Sequence, residues 1–190
     1  RYTPDGTKIL YLYESKIWKM DPDGSNSAEI GMNGFADNYD LSPDGSKIAF
    51  SSNSEIYTID FNGTNENKII DDDNVGYYLS DPKFSPDGSK LLMSCQGISQ
   101  FQWNNFCTSG ADGSLFEPLQ GSSTERTSGT WSPNGYAVAF VSYDSQTNVY
   151  LLEAAVLGQA PVTVRSSENG DIIQSLAWQP DCTLIGGPTP

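Results

Sequence analysis

Short runs rich in apolar and β-forming residues recur along most of the chain, and clusters of Pro, Asp, Asn, Gly and Ser cut each run off. Runs of about four to eight such residues between breakers predict β-strands. A first set of runs covers residues 8–13, 47–51, 90–95 and 136–142. A second covers 16–20, 55–60, about 105–108 and 148–152, and a shorter third covers 28–30, 68–70, 115–119 and 162–165. No window carries a sustained 3.6-residue period, so helix is expected to be scarce.

The breakers themselves repeat. Thr3-Pro4-Asp5-Gly6, Ser42-Pro43-Asp44-Gly45, Ser85-Pro86-Asp87-Gly88 and Ser132-Pro133-Asn134-Gly135 are four copies of one motif, with a worn fifth at Gln179-Pro180-Asp181. Their prolines stand 39, 43, 47 and 47 residues apart. Proline presets φ for a tight turn, Asp or Asn suits the next position, and Gly supplies the positive φ that follows. Tyr2, Leu41, Phe84, Trp131 and Trp178 precede the copies. A second turn recurs as Asp21-Pro22-Asp23-Gly24, Asp60-Phe61-Asn62-Gly63 and Gly110-Ala111-Asp112-Gly113, with Gly158 alone in the fourth unit. A period of about 40–45 residues with four short strands is the signature of a propeller blade. The expected fold is all-β, a β-propeller of four-stranded antiparallel blades with about four blades visible. The repeats run approximately over 1–36, 37–78, 79–126 and 127–171 of a single domain, with a closing strand at 172–178.

The sequence apolar-Ser-Pro-Asp-Gly-x-Lys-Ile-x-Phe, followed by Ile-Tyr-x-x-Asp-x-x-Gly, is best developed at 41–63 and resembles the TolB-like β-propeller repeats. The resemblance extends over nearly the whole chain in four and a half copies. It implies the propeller fold, in relatives that usually have six blades. It implies no single activity, because such repeats serve binding modules, scaffolds and the gating domains of some enzymes.

With the strands of a blade lettered a to d from the channel outward, strand a ends just before each Pro-Asp-Gly. The chain therefore opens on b, c and d strands preceded only by Arg1-Tyr2, and closes on a lone strand a. Three architectures follow: a closed four-blade ring, part of a longer propeller, or an open arc whose last strand completes the first blade of a neighbouring copy. The last is a heterologous contact that runs into a filament.

Charge narrows the partners. The 190 residues hold 10 Lys+Arg against 24 Asp+Glu and no His, for a net charge of −14. Nucleic-acid and anionic-membrane binding need the opposite balance. The lack of His removes His-based triads, general bases and imidazole metal sites, and no Gly-x-Ser-x-Gly elbow is present. A paired-carboxylate glycosidase stays open in principle, but no pair is singled out by spacing. Apolar runs are strand-sized, far below the ~20 residues of a spanning helix. Arg1 is preceded by no initiator Met or leader, so a mature form or a piece of a longer protein is expected.

Four features are candidates for function. The d-to-a connections are expected to gather on one face, where Asp37 and Asp40, then Asp71, Asp72, Asp73 and Asp81, then Glu125, Glu168 and Asp171, make an electronegative surface for a basic partner. The Asp71-x-Asp73 spacing opens like a calcium loop and then fails, with Val75 and Pro82 where ligands belong, so no metal or other cofactor is expected and Ca²⁺ is a minor alternative. The third unit carries an insertion, 96–104, with Ile98, Phe101 and Trp103 as contact anchors or a core cap. Cys95 and Cys107 flank it and are expected to form a disulfide, which implies an oxidising compartment, while Cys182 has no evident partner. Asn62-Gly63-Thr64 is a glycosylation sequon at a hairpin tip. Asn105-Phe106-Cys107 is a weaker one.

The reading is a non-catalytic propeller binding or scaffold module, acting through protein contacts in an extracellular or periplasmic setting. Its partner is a protein, a basic peptide or a copy of itself, with no nucleic acid and no membrane insertion. Self-assembly through the closing strand is the alternative, and a fragment of an enzyme-gating propeller the second.

Overall fold

The Ser-Pro-Asp-Gly turn explains the repeat. In the second copy the Ser42 hydroxyl donates to Asp44 Oδ1 at 2.6 Å. The same oxygen accepts from the Ser46 amide (3.0 Å) and hydroxyl (2.9 Å). The Lys47 amide donates to Ser42 Oγ at 2.9 Å, and Gly45, at φ 73°, donates to the Ser42 carbonyl. Thr3/Asp5/Thr7 and Ser85/Asp87/Ser89 reproduce the arrangement, and Ser132/Asn134 keeps it with an amide in place of the carboxylate. Each copy fixes its turn through bonds among residues no more than five apart.

A computed structural model describes residues 1–97, 104–119, 125–144 and 147–166. The first sheet holds β1 (Ile9–Tyr13), β2 (Lys16–Met20) and β3 (Ala28–Glu29). Three four-stranded sheets follow, all antiparallel and in sequence order. They are β4 (Asn38–Leu41), β5 (Lys47–Ser52), β6 (Glu55–Asp60) and β7 (Asn67–Ile70); β8 (Tyr77–Phe84), β9 (Lys90–Gly97), β10 (Asn104–Gly110) and β11 (Glu117–Pro118); and β12 (Glu125–Trp131), β13 (Ala137–Asp144), β14 (Val149–Val156) and β15 (Val162–Ser166). One helical turn, α1 (Asp72–Val75), precedes β8. These are the blades of a propeller. Arg1–Thr3 already lies along β1: Leu10 and Arg1 exchange backbone hydrogen bonds and Tyr2 bridges Ile9.

Both faces of the inner blades are buried, which is why their strands read as nearly continuous apolar runs. In β5, Ile48 and Phe50 face the first blade with Leu10, Ile17 and Ile59, whereas Ala49 joins Ile56, Leu79 and Met93 toward the third. Leu92, Phe106, Trp131, Val138 and Phe140 fill the next interface. Fully burying each large side chain contributes about 1.5–3 kcal/mol, so packing between blades rather than within them holds the fold. The turns stack as well: a Cβ on Gly45 would lie 3.2 Å from the Pro4 ring, and one on Gly88 3.4 Å from Pro43.

Boundaries differ from the sequence reading in the third and fourth units. The expected outer strand over 115–119 shrinks to Glu117–Pro118, because Leu115 takes a left-handed conformation (φ 54°) that breaks the strand. Cross-strand pairing extends the run expected at about 105–108 to Asn104–Gly110, and that at 148–152 to Val149–Val156. The closing strand expected at 172–178 lies outside the described residues.

The turns carry a pH dependence. Hydrogen bonds from Ser42 and Ser46, and from Ser85 and Ser89, hold the Asp44 and Asp87 carboxyls at about 2, below the ordinary 3.8. A depressed carboxylate stabilises fully above its unfolded value and loses that contribution as pH falls through its folded value. Thermal melts are therefore expected to drop between about pH 4 and pH 2. The double variant Asp44→Asn/Asp87→Asn should melt lower at pH 7, having lost that charged contribution, and drop less on acidification, while still folding because Asn134 makes the same turn uncharged.

Candidate functional site

The a strands of successive blades lie side by side around the channel and line an open cavity of about 440 Å³. Its wall includes Arg1, Tyr39, Asp40, Asp81, Lys83 and Trp131, with Pro43 and Pro86 placing it toward the a–b turns. Polar groups here stitch blade to blade. Asp40 is 8% exposed. Its Oδ2 accepts from the Phe84 amide of the next blade at 2.9 Å, and its Oδ1 pairs with Arg1 of the blade before. The Lys83 ammonium donates to the Gly129 carbonyl at 3.1 Å, and Trp131 Nε1 returns a bond to the Lys83 carbonyl at 3.0 Å.

Asp81 is turned out of the strand ladder. It sits at φ 51° where the β8–β9 register shifts between Ser80 and Lys83, a bulge that turns a side chain out of the ladder. Its Oδ2 lies 3.1 Å from the Lys83 ammonium, and both side chains stay more than a third exposed. Burial pushes the Tyr39 hydroxyl up, against the opposing pull of Arg1. The cavity wall thus carries the Asp81 carboxylate beside Lys83, the Tyr39 phenol, and an Arg1 guanidinium already paired with Asp40.

The sequence reading placed Asp40 and Asp81 in acidic loops with Asp37 and Asp71–Asp73. The structure separates them: Asp40 belongs to β4 and Asp81 to β8, because strand pairing begins earlier than the acidic residues suggested. Glu125 likewise opens β12. Asp37 and Asp73 remain exposed in the connections. Asp71 caps α1, accepting from the Asp73 amide at 3.1 Å. Lys68 reaches both Asp71 Oδ2 (2.6 Å) and Glu55 Oε1 (2.8 Å) and holds both carboxyls below their usual range. Glu55 also accepts from the Tyr57 hydroxyl and raises it to about 12. Glu55, Asp71 and Asp72 are close enough to share an ion, but the lysine ammonium bridges two of the three. The donor set is that of an ion-paired surface rather than a calcium cage.

Cys95 and Cys107 are joined by a disulfide between β9 and β10, with Cα atoms 5.9 Å apart and both residues in the core. Phe101 and Trp103, with Ile98, lie outside the described residues, as do Glu168, Asp171 and Cys182. Asn62 is exposed at its hairpin tip, where its Oδ1 accepts from the Thr64 amide (3.0 Å) and hydroxyl (2.7 Å). Sequence reasoning missed Lys83 and Tyr39. Their signal was a polar residue inside each a strand, at positions that face the channel.

No family model matches the sequence, and no curated protein matches it. Solved structures do. A candidate TolB from Agrobacterium tumefaciens superposes with a TM-score of 0.65 at 21% identity, over 87% of this chain and 63% of that one. TolB from Acinetobacter baumannii gives 0.63 at 22% identity, over 86% of this chain and 42% of the other. The fold is that of a TolB-like β-propeller. The chain spans less than two thirds of the length of either neighbour. No helix among the described residues is long and apolar enough to cross a membrane.

Proposed function

We propose that this chain is a non-catalytic propeller module that binds a protein segment at the channel cavity. The observation that carries the reading is Asp81, a charged residue held in a strained bulge on a cavity wall, beside Lys83 and Tyr39. Strained, exposed polar residues of this kind concentrate where ligands bind. Asp40, by contrast, is committed to Phe84 and Arg1 and serves as structure. The net charge of −14 favours a partner presenting a basic segment and speeds its approach. The Cys95–Cys107 disulfide supports action in an oxidising compartment outside the cytoplasm.

The test is affinity capture from the source organism followed by titration of the captured protein. Asp81→Asn keeps a residue that tolerates positive φ and removes the charge. It is expected to weaken binding about tenfold, the scale of one charged hydrogen bond, with an unchanged melting temperature. Unchanged affinity in Asp81→Asn overturns the reading.

A further inference from the structure

Strand register makes the outer ends of the b–c hairpins directly comparable from blade to blade. Lys47 stands opposite Asp60 and Lys90 opposite Gly110, and Lys8 faces Asp21 one residue beyond the Ile9–Met20 pair. In the first blade Lys8 pairs with Asp21, whose other oxygen accepts from Asn26 Nδ2. In the second, Lys47 pairs with Asp60 at 2.7 Å, and Asn65 Nδ2 donates to Asp60 Oδ2 at 2.7 Å. Both asparagines are left-handed, at φ 52° and 56°, a conformation Asn tolerates.

The third blade keeps the backbone and loses the carboxylate. Gly110 N donates to the Ser114 carbonyl at 2.7 Å, as Asp21 does to Ser25 and Asp60 to Thr64. Yet the aspartate has become Gly110 and the asparagine has become Leu115, at φ 54° and 88% exposed. Leucine in that conformation is costly, and leucine so exposed has no packing to offset it. In the fourth blade the lysine is gone too, with Ala137 opposite Val156. The third blade alone retains the cation without the cross-strand carboxylate: among the described residues the Lys90 ammonium makes no ion pair or side-chain hydrogen bond, and the acid its charge acts on is Asp87 of its own turn.

The space vacated is a groove of about 670 Å³ between the third and fourth blades, walled by Lys90, Gly110, Leu115, Glu117 and Leu157. That volume lies within the range of about 300–1,000 Å³ typical of ligand pockets. We propose that this groove binds a protein segment that presents one carboxylate beside an apolar side chain. The carboxylate takes the place held by Asp21 and Asp60 in the earlier blades and pairs with Lys90, while the apolar group packs on Leu115 and Leu157. Equivalence selects this occupant: Asp21 and Asp60 supply the carboxylate at the corresponding place in the first two blades, and Lys90 is the basic residue of a wall that also carries Asp112 and Glu117. Asp112 is satisfied by the Ser114 amide and hydroxyl, and Glu117 repels a second acid, so a single carboxylate is favoured over an acidic run. The proposal takes from the preceding subsection only that the chain works through protein contacts; the groove is separate from the channel cavity.

The test uses two acetylated, amidated hexapeptides, Gly-Leu-Asp-Leu-Gly-Ser and the same peptide with Asn for Asp, titrated into the ¹⁵N-labelled chain. The Asp peptide is expected to shift the Lys90, Gly110 and Leu115 amides saturably, and the Asn peptide to bind about tenfold more weakly, as loss of one charged hydrogen bond dictates. Lys90→Gln should weaken the Asp peptide equally. The double variant Gly110→Asp/Leu115→Asn rebuilds the arrangement of the first two blades; the new Cβ would lie 2.6 Å from Ser114 Oγ and 2.7 Å from Asp112 Oδ1, side chains that can turn aside, so the variant should fold and bind neither peptide. Equal affinity for the two peptides, shifts confined to other amides, or no shift at millimolar peptide overturns the proposal. Asp81→Asn leaves the groove intact, so loss of peptide binding there would point to the channel instead.

Discussion

Gly113→Ala is expected to destabilise the chain by about 2–5 kcal/mol, combining backbone strain with overpacking, against about 1 kcal/mol for Gly24→Ala, which adds strain alone. The two glycines occupy equivalent outer turns and equally left-handed conformations, at φ 85° and 86°. They differ in surroundings. A Cβ on Gly24 meets nothing within 4 Å, whereas one on Gly113 would overlap the Ile69 carbonyl, with the carbonyl carbon at 2.8 Å. That carbonyl belongs to the outer strand of the preceding blade, so it yields only if the two blades part. Urea denaturation of the two variants reads the difference directly. Equal losses would contradict the close blade-to-blade approach that defines the propeller packing.

Breaking the disulfide is the second large effect. Cys95→Ala/Cys107→Ala is expected to cost about 3 kcal/mol on the loop-entropy estimate for a separation of 12 residues. Both residues are fully buried among Leu79, Met93 and Ile56, so the double variant should stay folded but melt lower. The bridge also closes the hairpin that bears the inserted segment, and reduction should speed amide exchange at Gln96 and Asn104 beside it. A melting temperature unaffected by reductant would contradict the contribution assigned to this bridge.

Much of the architecture was legible because its determinants are local. Ser42, Pro43, Asp44 and Gly45 fix a hairpin through bonds among themselves and Ser46, so four copies announce four blades without any knowledge of the packing. Short apolar runs at 47–51 and 55–60, bounded by turn residues, marked strands, and they read as runs because both faces of those strands are buried. The site was harder to read. Asp40 and Asp71 are the same residue type in similar acidic surroundings, yet one bonds the next blade's backbone and the other caps a helical turn. That difference arises from neighbours 44 residues away in the one case and two in the other. Lys83 gained meaning only when Gly129 and Trp131 of the next blade came alongside. The vacancy around Lys90 was present in the letters as Gly110 and Leu115, but only register showed that they replace Asp60 and Asn65.

The central claim is that the chain engages a protein through the channel cavity. Photo-crosslinking tests it most directly, with a benzophenone residue placed singly at Tyr39 on the cavity wall, at exposed Tyr78 on β8, or at Val164 on the outermost strand. The account predicts a discrete adduct with one partner from Tyr39, needing about tenfold more partner for the same yield in Asp81→Asn, and none from Val164. Adducts from Val164 alone, or a Tyr39 adduct indifferent to Asp81, would place the contact elsewhere and contradict the claim.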